Sequence, residues 1–235
     1  MQQAFDPVSA HVQPVVAEVS TLCADFLDIR NWSIDLKGSS SDTMLLFRAR
    51  SFEIKLKRVV QSIPPRYHFE EIPAHQYRLL PFWIEHLITD LRAPATVQVY
   101  SAFSLCFLWN TIRFAEIRLH QLLILLSERS TTGSIAISAS FEALMQLANS
   151  ICSTVCAMLL ASEERDIRRE TKGQDIPSFR SFLLLRCLCA AHLAYTFLAG
   201  RDMPVDLRLC WVEEVCACLR DNLAIILPLQ TDALG

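Results

Sequence analysis

Hydrophobic and polar positions repeat with a helical period through nearly the whole chain. Apolar residues recur at steps of three and four, the spacing that places them on one face of an α-helix. No segment alternates strictly between apolar and polar residues around a hairpin dipeptide such as Asn-Gly, so no strand is predicted. The pattern predicts an all-α fold, a single helical domain over residues 1–235 with about six to eight helices and one long central helix.

Proline, glycine and capping residues mark the predicted helix ends in the N-terminal half. A first helix fits Val12 to Ile29, and a second begins at the capping sequence SSSD and ends ahead of Pro64. The stretch from Pro64 to Pro81 is predicted to be an irregular connection. From Ala95 to Arg129 there is neither Pro nor Gly, which predicts one helix about 50 Å long at 1.5 Å per residue.

Three further helices are predicted in the C-terminal half. One spans Ser140 to about Arg169 and ends in the charged run SEERDIRRETKGQD, which is typical of a solvated loop. Pro177 opens an apolar helix to Ala199, and Pro204 opens another that runs to about Ile226. Residues 1–94 therefore hold the N-terminal helices and the irregular connection, and the remaining helices follow.

Composition narrows the classes of function. The 235 residues are 52% hydrophobic, which is ample material for a buried core. A net charge of −3 and a pI near 6.1 give no overall basic field, so general attraction to nucleic acid or to an anionic membrane is not expected. Five glycines and the lack of a GxGxxG or GxxxxGK motif disfavour nucleotide-binding folds.

The mean hydropathy of +0.29 raises the question of a membrane span. The best candidate is FLLLRCLCAAHLAYTFLAG, but Arg186 and His192 lie inside it, and both are costly at bilayer depth. A helix buried in a large core fits the same window, so no membrane association is predicted, and a membrane-associated helical protein is kept as an alternative. The N-terminus lacks the pattern of a signal peptide, so the nine cysteines are predicted to be mostly free thiols.

The cysteines are the first candidates for chemistry. Cys152 and Cys156 are four apart on one predicted helix face, and with Cys189 and His192 a four-ligand zinc site is geometrically conceivable. Free cysteine is also among the most buried residue types and packs as a small apolar side chain, which we favour. No CxxC, GxSxG or HExxH motif is present. We therefore predict neither a metal site nor an enzyme, with a Cys/His metal- or thiol-dependent enzyme as the alternative.

Charged residues on two predicted helices are further candidates. The second helix concentrates five basic residues with only Glu53 opposing them, which predicts either a basic patch for phosphate or an acidic partner, or a solvated face. These five are Arg48, Arg50, Lys55, Lys57 and Arg58. On the long helix, Asn110, Arg113 and Glu116 share one face, and Arg113 can pair with Glu116 at i and i+3. Buried charge requires partners, so this stripe predicts an internal hydrogen-bonded network, with a ligand pocket as the alternative.

Three short segments resemble one known family. LWNTIRFAEIRLH is similar to the Trp-Asn-x-x-Arg-x-Ala-Arg-Ile-x-Leu-His signature in the C-terminal regulatory region of fungal binuclear zinc-cluster transcription factors. SICSTVC resembles the later Asp-Ile-Cys-Ala-Ser-Val-Pro segment of that family, and FLAGRDMPVDLRLCWVEEV resembles its Ala-Gly followed by Arg and Trp. The resemblance covers residues 95–228, and the matching residues are Trp109, Asn110, Arg113, Ala115, Ile117, Leu119, His120, Ile151, Cys152, Val155, Ala199, Gly200, Arg208 and Trp211.

The chain departs from the family pattern in several places. Glu116 stands where the family has a second arginine, and Ser150 replaces the aspartate. Cys156 replaces the proline, so the helix is expected to continue through that point. The DNA-binding module of the family needs two Cys-x-x-Cys-x6-Cys halves, and no Cys-x-x-Cys spacing occurs here. The chain is thus expected to be a truncated gene model or a homologue without that module.

The resemblance implies an all-α regulatory or effector domain without a catalytic step or cofactor. It implies contacts with protein partners that regulate transcription, a small-molecule effector as a further ligand, no direct DNA binding by this chain, and a nuclear location. Since no run of four Lys or Arg occurs, the cytoplasm is the alternative location. We expect the stripe with His120 and Arg208 to form an internal network that supports a groove for a partner helix or small ligand. Cys152 corresponds to the helix-interface cysteine of the family.

Overall fold

The computed structural model describes residues 14–15, 17–19, 21, 39–76, 82–129, 134–160 and 178–223. Of the predicted first helix, Val12 to Ile29, six residues are described, and all six are helical. The charged run at 162–175 and most of the STTGS break lie outside the described residues.

The predicted all-α class is confirmed, because helices make up most of the described chain and the two strands are short. The strands are β1 (Glu70–Pro73) and β2 (Thr96–Val99), and single 3-10 turns lie at Pro65–Tyr67 and Ala74–Gln76. Besides the helical residues between 14 and 21, the described helices are α1 (Ser39–Ser62), α2 (Phe82–Ile88), α3 (Phe103–Arg129), α4 (Ser134–Cys152), α5 (Val155–Leu160), α6 (Ser178–Ala199) and α7 (Asp206–Leu223).

The backbone groups into two compact units, each built from separate pieces of sequence. The first unit comprises Met1–Phe69 with Tyr100–Ala148, and the second comprises Glu70–Val99 with Asn149–Gly235. Residues 94 and 95, where the predicted single domain was divided into its N-terminal and best-matching parts, both lie in the second unit.

The core of the first unit is formed where α1 packs on α3. Leu45, Ala49, Phe52, Leu56 and Val59 recur at helical spacing and are buried along one side of α1. They pack with buried apolar side chains of α3 in one cluster. The helix α1 ends at Ser62 because two prolines follow that cannot continue it.

The two strands correct two predictions. β1 pairs antiparallel with β2, so that Glu70 lies opposite Val99 and Pro73 opposite Thr96. The segment 64–81 was predicted to be irregular, and residues 95–102 were predicted to begin the long helix; both predictions are wrong at the strands. β-branched residues in the sequence TVQV suit a pleated, half-buried strand. The long helix α3 consequently has 27 residues and is about 40 Å long.

A turn at Ser153 and Thr154 separates α4 from α5. The carbonyl of Ser153 accepts a hydrogen bond from the backbone N–H of Gln98 in β2 at 2.9 Å. The hydroxyl of Thr154 donates to the carbonyl of Ile151 at 2.7 Å. The expectation that the helix continues through this point is therefore wrong, because the strand and the threonine hydroxyl take carbonyls of the last turn.

The helices α6 and α7 pack as a pair in the second unit. The predicted end of α6 at Ala199 is confirmed, and α7 begins two residues after Pro204. Within α6, the window Phe182–Ala199 is long and apolar enough to cross a membrane, a property shared by core helices of soluble proteins. Half of this window is buried inside the structure.

Candidate functional site

Arg113 is the centre of the polar stripe on α3. Its side chain is only 4% exposed. One terminal nitrogen donates to the hydroxyl of Tyr100 at 3.0 Å and to Oδ1 of Asn110 at 3.1 Å. The guanidinium also lies over the ring of Phe69, 5.1 Å from its centroid. A buried cation thus has partners from its own helix and from the two residues that flank one end of the strand pair, Phe69 before β1 and Tyr100 after β2.

Trp109 ties the same helix to the segment that follows α1. Its indole N–H donates to the backbone carbonyl of Tyr67 at 2.9 Å, and the side chain is buried. Two neighbouring rings form edge-to-face contacts with the indole of Trp109, His68 at 5.2 Å and Phe69 at 5.7 Å between centroids. This contact satisfies a buried donor and fixes α3 against the 3-10 turn at Pro65–Tyr67.

Glu116 and His120 lie one helical turn apart on α3, near charged residues of α1. Burial raises the pKa of Glu116 to about 7, and nearby Arg113 and Lys57 offset this only in part. Burial lowers the pKa of His120, whose Nδ1 is buried without a hydrogen-bond partner. The ion pairs among the described residues do not include the predicted one between Arg113 and Glu116. The guanidinium of Arg113 instead donates a hydrogen bond to Asn110, which lies three residues before it on α3.

The predicted basic patch on α1 is smaller than the sequence suggested. Glu53 accepts hydrogen bonds from Arg50 at 2.7 Å and from Lys57 at 2.8 Å, so both cations are ion-paired. Arg48 is half-buried, whereas Lys55 and Arg58 are exposed. The spacing of Glu53 three and four residues from its partners is the signal that predicts this neutralisation.

Arg208 and Trp211 lie on α7, in the second unit, where they hold the end of α2. The indole N–H of the fully buried Trp211 donates to the carbonyl of Leu87 at 2.7 Å. The guanidinium of Arg208 donates to the backbone carbonyl of Arg92. The structure therefore places Arg208 with the second unit and the stripe of Asn110 and Arg113 with the first.

An exposed ion-pair cluster supports this end of α2, and the sequence analysis missed it. Arg92 pairs with Asp90 at 2.8 Å and with Glu214 of α7 at 2.7 Å. Hydrogen bonds from Arg92 lower the pKa of Asp90 to about 2. The Asp-x-Arg spacing gave a local signal for the first pair, but Glu214 is remote in sequence and gave none.

Cys152 is a buried side chain at the end of α4. Its sulfur lies 3.8 Å from the hydroxyl of Tyr195, which donates to Oδ1 of Asn149 at 2.8 Å. Burial raises the pKa of the thiol to about 12, and it does the same for Cys156. A thiol with such a pKa is protonated at neutral pH and is a poor nucleophile.

The conceivable zinc ligands are not assembled in the part of the chain that the structure describes. No group of three or more His, Cys, Asp or Glu side chains there is placed to hold a metal ion. The helix break separates Cys152 from Cys156, and Nε2 of His192 lies 3.1 Å from the carboxylate of Glu213. A scan of protein-family models, a search of curated proteins and a search of solved structures each found no match for this chain.

Proposed function

We propose that this chain is a regulatory domain of the kind found in fungal zinc-cluster transcription factors, which acts through contacts with other regulatory proteins in the nucleus. It has no DNA-binding module of its own in this proposal. The observation that carries the proposal is the structural role of the residues that carry the family resemblance. Arg113 and the tryptophans Trp109 and Trp211 are all buried and bonded to neighbouring segments.

The two tryptophans support the proposal in the same way. Trp109 and Trp211 each direct an indole N–H to a backbone carbonyl in another segment, Tyr67 and Leu87 respectively. Such a bond holds a helix in register against its neighbour, because a misplaced helix leaves a buried donor unsatisfied. The residues that carry the resemblance thus build a helical scaffold, which is what a domain that acts by binding requires.

The raised pKa values of the cysteine thiols support the alternative of a Cys/His-dependent enzyme less than they support the regulatory domain. The thiols of Cys152 and Cys156 have pKa values raised to about 12 by burial. We expect protein purified without added zinc to contain no stoichiometric metal by elemental analysis. Stoichiometric zinc that disappears in a Cys152→Ser variant would favour the metal-dependent enzyme over the regulatory domain.

A tethering assay tests the regulatory role directly. The chain is fused to a heterologous DNA-binding domain in a fungal cell that carries the matching reporter gene. We expect reporter transcription to change several-fold relative to the DNA-binding domain alone, and we expect a fluorescent fusion to accumulate in the nucleus. The Arg113→Leu variant should lose the effect together with its stability, whereas Leu207→Ala, at an exposed position, should keep it. A folded, abundant fusion that leaves the reporter unchanged would contradict the proposal.

A further inference from the structure

The outer face of α1, which we define by Met44, Phe47, Ile54, Lys55 and Arg58, combines exposed apolar and basic side chains. Phe47 is 75% exposed, Ile54 53% and Met44 41%. They follow the helical repeat on the side opposite the buried Leu45, Phe52 and Leu56. An apolar stripe outside the core has no role in packing α1 onto α3, so it is available to a partner.

The charge of this face is positive. Lys55 and Arg58 are exposed and are absent from the ion pairs formed among the described residues. The acidic residues of α1 are Asp42 and Glu53. Both are already engaged, Asp42 with Arg129 at 3.8 Å and Glu53 with its two basic neighbours. The apolar stripe is therefore flanked by cations that the helix itself does not neutralise.

We propose that the outer face of α1 binds an acidic amphipathic helix of a partner protein. The stripe from Met44 to Ile54 is about 15 Å long, or roughly three helical turns, which matches a partner helix with apolar anchors at i, i+3 or i+4, and i+7. Phe47 supplies an aromatic anchor near the middle, and carboxylates on the partner face Lys55 and Arg58. The inference deepens the proposed function by naming a partner class, but it rests on this face alone.

The same observations favour a protein helix over nucleic acid or a membrane. Two exposed cations release few counterions, so they support little binding to a phosphate backbone. A stripe of three apolar residues on a chain of net charge −3 is also small for stable insertion into a lipid surface. A protein helix uses both parts of the face, because its apolar side meets the stripe and its acidic edge meets the cations.

A selection experiment tests which partner chemistry this face takes. A phage-displayed library of random peptides about 16 residues long, enough to form a helix, is selected on the full chain, and each recovered peptide is then tested for binding to Phe47→Ala. We expect the recovered peptides to carry Asp and Glu together with apolar residues at helical spacing. Recovery of neutral or basic peptides, or of peptides that bind the parent and Phe47→Ala equally, would overturn the proposal.

Titration of the best recovered peptide sharpens the result. We expect Phe47→Ala and the double variant Lys55→Glu with Arg58→Glu each to weaken binding about tenfold or more, and we expect added salt to weaken it further. Leu207→Ala is the matched control, since it removes an equally exposed apolar side chain elsewhere and should leave affinity unchanged. Circular dichroism verifies that each variant remains folded.

Two further probes separate the rival partners. Vesicles of phosphatidylcholine with phosphatidylserine, and random duplex DNA, are titrated at physiological salt. Binding of either probe that depends on Phe47, without recovery of an acidic peptide, would overturn the proposal. The peptide assay does not depend on transcription. A negative peptide assay therefore does not contradict a positive tethering assay, and an unchanged reporter does not contradict peptide binding.

Discussion

The buried guanidinium of Arg113 contacts the side chains of Tyr100 and Asn110 and the ring of Phe69 in the first unit. Its removal deletes a hydrogen bond to the hydroxyl of Tyr100 and another to the amide oxygen of Asn110. A buried acceptor that loses a hydrogen bond keeps its desolvation cost without the bond that offset it. The effect of a substitution here should therefore exceed the loss of one hydrogen bond.

Replacement of Arg113 by leucine should lower the free energy of unfolding by about 2–4 kcal/mol. Urea denaturation followed by circular dichroism measures this change. Arg113→Lys is the matched control, because it keeps the charge but not the planar group above Phe69. Its free energy of unfolding should lie between those of the parent and of Arg113→Leu. A midpoint for Arg113→Leu equal to that of the parent would show that the network does not stabilise the fold.

Glu116 should make stability depend on pH. Its pKa is about 7 in the folded chain, while an unperturbed glutamate titrates near 4.5. Between these values the unfolded state has released the proton and the folded state still holds it, so stability falls as the pH rises. The charged groups that face Glu116 are Arg113 on α3 and Lys57 and Glu53 on α1. The two cations oppose the rise in the pKa of Glu116, whereas Glu53 adds to it.

The Glu116→Gln variant should remove this dependence. Relative to the parent, its free energy of unfolding should rise by roughly 2–3 kcal/mol between pH 5 and pH 8. Urea denaturation of both proteins at the two pH values gives the difference. Because His120 is present in both proteins, most of its own titration cancels. Parallel pH profiles for parent and variant would mean that Glu116 is not protonated in the folded state at neutral pH.

Some of this residue-scale detail was predictable from spacing alone. Asn110 and Arg113 are three apart on a helix, and the structure joins them as that spacing allows. Glu116 lies three residues after Arg113 on α3, yet the two side chains do not form an ion pair. Tyr100 and Phe69 supply the competing contacts, and since both lie outside α3, helical periodicity could not identify them.

At the scale of elements, the break between α4 and α5 is held by a small hydrogen-bonded motif. Thr154 is fully buried, and its hydroxyl caps the carbonyl of Ile151 in the last turn of α4. Helix ends leave carbonyls unsatisfied, and a buried end needs such a partner. The neighbouring carbonyl of Ser153 is taken by Gln98 of β2, so the strand and the break depend on each other.

Thr154→Val keeps the shape of the side chain and deletes the hydroxyl. We expect a loss of about 1 kcal/mol, because the carbonyl of Ile151 loses the hydroxyl bond and keeps only the one from the backbone N–H of Thr154. Thr196→Val on the exposed side of α6 is the matched control and should change stability by less than about 0.5 kcal/mol. Thermal melting of both variants tests this, and equal melting temperatures would exclude a role for the hydroxyl.

The sequence predicted helices better than it predicted this break or the strands. The helix α6 ends at Ala199, directly before Gly200, as predicted from the low helix propensity of glycine. The four residues of β2 are too few for alternation to be distinguished from the first turn of a helix. The break contains neither Pro nor Gly, and the hydrogen bonds that hold it come from the hydroxyl of Thr154 and from Gln98, which is remote in sequence.

At the scale of the whole molecule, the first unit is interrupted by residues 70–99. The interruption begins and ends at paired positions, because Glu70 lies opposite Val99 in the strand pair. The flanking rings of Phe69 and Tyr100 are 5.6 Å apart between centroids. No periodic pattern in the sequence reveals this arrangement, since it depends on which distant segments pair.

The short distance between Phe69 and Tyr100 predicts that the interruption can be removed. A chain of residues 1–69, a short Gly-Ser linker and residues 100–152 should fold into a helical protein that melts cooperatively. The contiguous fragment 1–99 is the control, since it ends before α3 and so leaves the buried face of α1 without the helix that packs on it. Circular dichroism with temperature distinguishes the two. A linked chain that melts as gradually as the fragment would show that the first unit does not fold alone.

Separation of α1 from α3 in the sequence also has a consequence for synthesis. The apolar face of α1 leaves the ribosome roughly 40 residues before the first turn of α3, a delay of about 2–8 seconds at typical rates of translation. During that interval Phe52 and Leu56 lack the contacts that α3 supplies in the folded chain, so we expect the nascent chain to present a binding site for chaperones. The interleaved order of the chain thus makes its own production depend on protection of a helix face that is buried in the finished protein.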